Sequence, residues 1–260
     1  MASVDGSAIR SFFDLLYGES VSDSSQLVLW SSRDKRSNWV SSAEEGAAIA
    51  AKGAALSDLY YGVCLQDYAL AKKERERRTG TPGMAFARGY ASTVACIPGL
   101  WLDLDIAGDG HEKKGLPRSR ADAWKIVEAL PFKPSLVVAT GGGFHIYWLF
   151  REPWTLETDE ERHRAGACIR GWQTLAIDAA LQMGLTVDAT HDLSRVLRPV
   201  GTLNHKYGAP VVVDGGDSIQ YNPSDFEDWA VAVVPVASAL PEKVERLGTL
   251  SEAAQPPPEK

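Results

Sequence analysis

The sequence lacks several features that would place the protein in a familiar class. None of its apolar runs reaches the length of a membrane-spanning helix, and the N-terminal residues have neither the basic flank nor the apolar core of a signal peptide. These absences predict a cytoplasmic protein that does not contact a membrane. The phosphate-loop pattern G-x-x-x-x-G-K-[ST] is also missing, which excludes a helicase motor within these residues.

Cysteine and net positive charge are scarce as well. The three cysteines, Cys64, Cys96 and Cys168, lie far apart and have none of the paired Cys/His spacings of a zinc site. We therefore expect buried free thiols and no zinc. The net charge of −7 excludes a protein that coats nucleic acid over its whole surface, so any contact with nucleic acid must be local.

The chain is long enough to form a large core. With 260 residues, 45% of them hydrophobic, it can fold as one large domain or as two closely packed lobes. Alanine, proline and charged residues dominate from Pro235 onward, which predicts a linker or tail over 235–260. The sequence predicts helices over 8–17, 41–56, 119–130, 158–183 and 225–232, and strands over 27–30, 59–65, 135–139 and 210–213.

The segment Leu100-Trp-Leu-Asp-Leu-Asp-Ile106 has the clearest pattern of the chain. Its period of two predicts a strand that buries Leu102, Leu104 and Ile106 on one face and places Asp103 and Asp105 side by side on the other. Two such carboxylates repel each other unless a cation lies between them, and a hard divalent ion suits oxygen ligands. The alternative is a strand end whose aspartates cap the following turn.

A second stretch, Thr140-Gly-Gly-Gly-Phe-His-Ile146, follows another predicted strand. Its glycines predict a hairpin-like turn whose backbone N–H groups can approach a ligand closely. His145 alternates with Phe144 and Ile146 and can point toward the same ligand, although a lone histidine in an apolar strand is more often a core residue.

Charged residues cluster in two further places. Between Gly184 and Lys206, two acids are followed by two arginines, a glycine turn and a basic pair. Residues 72–83 resemble an exposed, mobile loop, which either contacts a template strand or is merely solvated. The basic side chains of that run are Lys72, Lys73, Arg75, Arg77 and Arg78.

Taken in order, these stretches resemble the archaeo-eukaryotic primase superfamily, most closely its primase-polymerase branch in phages, plasmids and other mobile elements. The resemblance covers residues 88–208. The three motifs of the family look like Leu102-Asp103-Leu104-Asp105, Gly143-Phe-His145 and Val187-Asp188. The segment after the third motif is similar in Arg195-Val-Leu-Arg198, Gly201-Thr-Leu-Asn204 and Lys206.

Two features depart from the family pattern. The usual Arg-hydrophobic-Pro-Gly order appears as Arg198-Pro-Val-Gly201, so the turn is shifted by a residue. Asp192 competes with Asp188 for the third acidic position, and we favour Asp188 because it follows Val187 at the end of a predicted strand.

The resemblance implies an α+β primase core, with an N-terminal α/β lobe over 1–95 packed against a metal-binding, RRM-like lobe with a mixed or antiparallel sheet over 96–234. It implies a DNA primase or DNA polymerase that adds NTPs or dNTPs on a single-stranded DNA template and primer. Asp103, Asp105 and Asp188 would hold two Mg²⁺ or Mn²⁺ ions. The charge of the triphosphate would be neutralised by His145, Arg195, Arg198 and Lys206. The backbone amides of Gly141, Gly142 and Gly143 would add neutral hydrogen-bond donors.

Three other kinds of protein share some of these features. A replication-initiator nuclease needs two histidines one residue apart, whereas His145 is followed by Ile146 and Tyr147. A nucleotide cyclase would also have paired acids but gives no reason for the downstream arginines. A non-catalytic, origin-binding replication module remains the main alternative. The proline-bearing tail would suit a replicative helicase in the same chain or as a separate partner.

Overall fold

The computed structural model describes residues 3–108 and 114–230, so the predicted tail over 235–260 lies outside the described residues. The first part of the chain alternates short strands and helices, and the second part contains the longest strands and the longest helix. The elements before residue 80 are α1 (Gly6–Tyr17), β1 (Ser25–Ser31), β2 (Ser37–Val40), α2 (Ala43–Ala54), β3 (Leu59–Gly62), β4 (Leu65–Asp67) and α3 (Tyr68–Thr79). The later ones are β5 (Val94–Asp105), α4 (Arg120–Glu128), β6 (Leu136–Ala139), β7 (Gly143–Thr155), α5 (Asp159–Gln182), β8 (Val196–Leu197), β9 (Leu203–Asn204), β10 (Ala209–Pro210) and β11 (Val212–Gly215).

Nine strands of the described chain form one sheet in the order β11-β6-β7-β5-β4-β1-β3-β8, with β2 added beside β1. The ladders between these strands are antiparallel, and β9 and β10 form a separate two-stranded ribbon. The predicted α+β class is therefore confirmed. Strand β8 returns from the second half of the chain to pair with β3, so the segment after α5 reaches the N-terminal strands.

Local signals explain where the main helices begin. Asp5 accepts hydrogen bonds from the first backbone N–H groups of α1, and Ser42 and Ser119 do the same for α2 and α4. Thr158 and Glu161 form a capping box at the start of α5. Within residues 3–108 and 114–230, no helix combines the length and the apolar character needed to cross a bilayer.

The core divides along the two faces of β5. Leu100, Leu102 and Leu104 are buried on one face, where Trp148 of β7 packs edge-on against Trp172 of α5 with ring centroids 5.0 Å apart. Asp103 and Asp105 lie on the opposite face, as predicted, and both are only half-buried. Burial of the leucine face thus holds the carboxylates in place on the other side of the strand.

Residues 72–79 form the end of a helix, so the prediction of a mobile loop over 72–83 is wrong for this part. Asp67 caps the start of α3, and Gly80 ends it in the left-handed conformation at φ 69°. Glu74 accepts hydrogen bonds from Arg77 and Arg78, which lowers the pKa of the Glu74 carboxyl to about 2. The helix is stabilised by such charge pairs and buries only Ala71, so it has no apolar stripe that would have identified it.

Candidate active site

The two aspartates lie opposite the glycine–histidine stretch in a regular antiparallel ladder. Asp103 pairs with His145, and Asp105 pairs with Gly143. Directly opposed residues point to the same face of a sheet, so the first two sequence motifs form one surface. Each carboxylate follows a buried leucine, and both lie at the end of β5 where the strand meets solvent.

His145 contacts Asp103 but is not an ion-pair partner for it. The His145 Nε2 and Asp103 Oδ1 atoms are 3.8 Å apart, which is too long for a hydrogen bond. Burial, together with the charge of Arg198, lowers the pKa of the His145 ring to about 3. The ring is therefore neutral at physiological pH, and it can offer a hydrogen bond to a phosphate but no positive charge, contrary to the expectation from sequence.

A tyrosine and an acid that the sequence motifs do not contain complete the surroundings of His145. The Arg198 Nη2 atom donates to the Tyr60 hydroxyl at 2.7 Å, and its Nε lies 3.4 Å from Asp58 Oδ1. Burial raises the pKa of the Tyr60 hydroxyl, and the negative charges of Asp58 and Asp103 also act to raise it. Tyr60 and Asp58 thus hold Arg198 near His145, in the region where the resemblance places the triphosphate.

The segment that carries Asp188 is tied to β5 by a buried clamp, which we call the Gln173 clamp. Gln173 of α5 donates to the Trp101 carbonyl at 2.9 Å and accepts from the Thr190 backbone N–H at 2.7 Å. The Trp101 indole N–H in turn donates to the Thr190 carbonyl at 2.9 Å. Trp101 belongs to the same strand as Asp103 and Asp105, so the clamp fastens the segment that follows Asp188 to β5.

The prediction that Val187 ends a strand is wrong. The residues around Val187 and Asp188 are irregular, since their neighbours bond to a loop and to a side chain rather than to a strand; Thr186, for example, donates its N–H to the Gly115 carbonyl. Asp188 is half-buried between these two anchors. Asp192 is exposed and forms an ion pair with Arg195 at 2.7 Å.

Arg195 and Arg198 differ in their surroundings. The short strand β8 separates them, so their side chains leave the backbone on opposite sides. Arg195 is engaged by Asp192, beside a cavity of about 440 Å³ lined by His163, Arg170 and His191 among others. The structure therefore brings Arg198, rather than Arg195, to His145.

The three glycines form the predicted turn that leads from β6 into β7, and backbone conformation or packing explains each of them. Gly141 has φ +83°, a conformation that favours glycine. A Cβ atom on Gly142 would lie 2.4 Å from the Tyr207 ring, and one on Gly143 would lie 2.2 Å from the Leu104 carbonyl oxygen. The turn borders a cavity of about 350 Å³ that also contacts Ile106 and Phe144, which is at the small end of the range for ligand pockets.

Lys206 reaches the glycine turn through the β9–β10 ribbon. Asn204 donates from Nδ2 to the Thr140 carbonyl at 2.7 Å, which fastens the ribbon to the turn. Tyr207 packs on Gly142, and the Lys206 Nζ atom lies 5.0 Å from the centroid of the Tyr207 ring. The ammonium of Lys206 is exposed beside the cavity at the turn.

Carboxylate, histidine and cysteine side chains do not form a ready-made metal cage in the part of the chain that the structure describes. No three of them lie close enough together there to enclose an ion. Asp103 and Asp105 supply two adjacent oxygen donors on one open face, which is a donor set that suits Mg²⁺ or Mn²⁺. Cys64, Cys96 and Cys168 are buried free thiols, as the sequence predicts.

The antiparallel sheet and its helices have the fold of a solved primase-polymerase AEP domain. The chain is similar to the AEP domain of the cyanophage S-2L primase-polymerase, with 15% identity and a TM-score of 0.51 over 88% of this chain and 100% of that one. It is also similar to primase RepB′, with 14% identity, a TM-score of 0.45 and coverage of 86% and 61%. No family model and no curated protein matches the sequence.

The basic residues of α3 remain candidates for contact with a template. Since Glu74 engages Arg77 and Arg78, the exposed cations best able to reach a phosphate are Lys72 and Lys73. We expect Lys72→Ala/Lys73→Ala to flatten the slope of log affinity for single-stranded DNA against log salt by at most about 1.4, at roughly 0.7 per phosphate contact. Anisotropy titrations at several salt concentrations measure this slope.

Lys52→Ala/Lys125→Ala is the matched control, because it removes the same charge from helices α2 and α4. An equal slope in both double variants would show that α3 is only a solvated helix. In that case we expect the template to pass near His111, Lys113 and Lys114; the first two lie outside the described residues, and Lys114 is exposed.

Proposed function

We propose that the protein catalyses template-directed nucleotidyl transfer, as a DNA primase or a DNA polymerase acting on single-stranded DNA with NTPs or dNTPs. The observation that carries this proposal is the alignment of Asp103 with His145 and of Asp105 with Gly143 on one face of a primase-type sheet. Carboxylates side by side at the open end of a strand suit a reaction whose substrate and leaving group are both polyanionic.

The proposed cofactor is a pair of Mg²⁺ or Mn²⁺ ions, which when bound would activate the primer 3′-hydroxyl and stabilise the leaving pyrophosphate. Asp103 and Asp105 would hold the ions together with Asp188. The clamp at Gln173 and Thr190 supports this role for Asp188, because it fastens the segment that follows Asp188 to β5, the strand that carries Asp103 and Asp105.

The remaining residues would bind the triphosphate. Arg198 supplies a fixed positive charge that Tyr60 and Asp58 orient, and His145 supplies a neutral hydrogen-bonding ring. Lys206 and the backbone of the glycine turn would hold the far end of the nucleotide, beside the cavity that borders Gly142. Arg195 is also among the residues that the sequence predicts to bind the triphosphate. Its ion pair with Asp192 would have to open before it could bind a phosphate.

A primer-extension assay tests the proposal. The protein is incubated with single-stranded template, with and without primer, in the presence of NTPs or dNTPs and of Mg²⁺ or Mn²⁺. Extension products that disappear on chelation of the metal are the expected result. Tight template binding without any product under all these conditions would instead favour the non-catalytic, origin-binding module.

His145→Ala and Arg198→Ala test the assignment of the triphosphate. We expect each to raise the apparent KM for nucleotide by roughly tenfold or more, since a hydrogen bond to a charged group contributes about 1.5–3 kcal/mol. Template affinity without nucleotide should change by less than about twofold. The measurements are steady-state extension kinetics and anisotropy with labelled template.

His163→Ala and Arg151→Ala provide matched controls, because both residues are exposed and belong to other parts of the fold. The assignment fails if the two site variants lose template affinity as strongly as they lose nucleotide affinity, because both residues would then contact DNA.

A further inference from the structure

An aromatic and cationic row crosses the exposed face of the N-terminal strands; we call it the Trp30–Tyr60 row. Trp30 of β1 lies directly opposite Tyr60 of β3, with ring centroids 5.6 Å apart. The Lys35 ammonium and the Arg88 guanidinium lie 5.1 and 5.0 Å from the Trp30 ring, and the Arg198 guanidinium lies 4.7 Å from the Tyr60 ring. Cations and aromatic rings thus alternate across the strands.

The row faces outward because successive side chains along a strand point to opposite faces of the sheet. Leu29 and Tyr61 point into the core and are fully buried, whereas Trp30 and Tyr60, one residue away, are only half-buried. Large aromatic side chains that are held on a strand yet left partly exposed provide flat surfaces at little cost in conformational entropy.

The cations at the outer end of the row are placed by backbone features. Lys35 lies in the turn between β1 and β2 with φ 57°, a left-handed conformation that is uncommon for a residue with a side chain. The indole N–H of Trp39 donates to the carbonyls of Met84 and Ala87, which fastens the segment before Arg88 to β2. Both cations are exposed, so their charges stay available to a polyanion.

The inner end of the row meets the carboxylate site. The Arg198 Nη2 atom donates to the Tyr60 hydroxyl, and the charge of Asp103 contributes to the raised pKa of Tyr60. The row therefore runs continuously from Arg88 to the surroundings of Asp103.

We propose that the Trp30–Tyr60 row is a stacking surface for the bases of single-stranded nucleic acid, and that it leads the strand toward the carboxylate site. This inference deepens the proposed function and rests on it for the direction in which the strand runs. It also explains how a protein with a net charge of −7 can hold a polyanion locally.

Relative energies favour a base over the cations now on the rings. Stacking of a base on an aromatic side chain raises affinity by about fivefold to a hundredfold, whereas a cation over an exposed ring is worth only about two- to fivefold. A base therefore displaces the flexible Lys35 side chain from Trp30, and the freed ammonium can neutralise a backbone phosphate. Stacking of this kind tolerates any base sequence.

The experiment measures the anisotropy of a labelled oligothymidylate without nucleotide or metal. We expect Trp30→Ala to weaken binding by about fivefold to a hundredfold and Trp30→Phe to bind almost as the wild type does. Lys35→Ala/Arg88→Ala should flatten the salt slope by up to about 1.4. The matched control is Trp124→Ala, because Trp124 of α4 is also half-buried beneath an arginine, Arg120, at 5.6 Å.

The proposal is overturned if Trp30→Ala binds oligothymidylate as tightly as Trp124→Ala does. If circular dichroism shows that Trp30→Ala does not fold, the double variant Lys35→Ala/Arg88→Ala tests the proposal by itself. An unchanged salt slope in that variant would then overturn the proposal. Primer extension at saturating template separates the two proposals. If the variants lose binding but neither they nor the wild type extend a primer, the stacking surface is retained and the proposed function is refuted. If the variants bind and extend as the wild type does, the proposed function is retained and the stacking surface is refuted.

Discussion

Asp103→Ala is expected to lower the rate of nucleotide addition by at least about a thousandfold. A metal ion contributes several kcal/mol of charge stabilisation in the transition state, and about 4 kcal/mol corresponds to this factor. The thermal unfolding temperature without metal should be unchanged or slightly higher, because the substitution relieves repulsion between Asp103 and Asp105. Primer extension and calorimetric unfolding provide the two measurements.

Asp105→Ala should behave in the same way, and Asp178→Ala serves as the control because Asp178 is exposed on α5. Titration with Mn²⁺, followed by electron paramagnetic resonance, gives a readout that does not depend on activity. Extension by both β5 variants at the wild-type rate would remove the metal role from this strand.

Gln173→Leu is expected to destabilise the protein by about 2–6 kcal/mol and to impair nucleotide addition as well. Leucine fills a similar volume but leaves the Trp101 carbonyl and the Thr190 N–H without partners in a buried place, at about 1–3 kcal/mol for each group. The segment that carries Asp188 then loses one of its anchors. Urea unfolding measures the first effect, and extension at rising Mn²⁺ concentration measures the second.

Gln173→Glu separates the two hydrogen bonds of the Gln173 clamp, since a carboxylate can accept from Thr190 but cannot donate to Trp101. Thr174→Ala, at the next position of α5, is the control on the same helix; its hydroxyl donates only to the Arg170 carbonyl. If Gln173→Leu unfolds at the same urea concentration as Thr174→Ala, the clamp does not hold the Asp188 segment.

Patterns within one element predicted that element well. The alternation of leucine and aspartate from Leu102 to Asp105 predicted which face of β5 is buried, because side-chain direction along a strand depends only on residue parity. Helix α5 was likewise predicted to within a residue of each end, over 158–183 against the observed Asp159–Gln182. Three glycines before β7 predicted a turn, since glycine adopts the backbone angles that the turn requires.

Patterns without an apolar period were misread. Helix α3 buries only Ala71 and is stabilised by ion pairs, so its charge run resembled a solvated loop.

The run from Leu59 to Leu65 was predicted as one strand, but the chain leaves the sheet at Val63 and Cys64 and re-enters it as β4. There the Val63 N–H bonds to the Arg195 carbonyl, a partner that only the folded chain brings near.

The sequence alone predicted the strand positions of Asp103, Asp105 and His145 and the glycine turn. Alternation of side chains along a strand and the preference of glycine for turns both depend only on neighbours a few residues away. Tertiary structure decided the rest of the candidate site. The Tyr60 hydroxyl meets Arg198 across 138 residues of sequence, and Trp101 meets Thr190 across 89. Burial also lowered the pKa of His145 to about 3, and desolvation depends on everything packed around a side chain rather than on its neighbours in the chain.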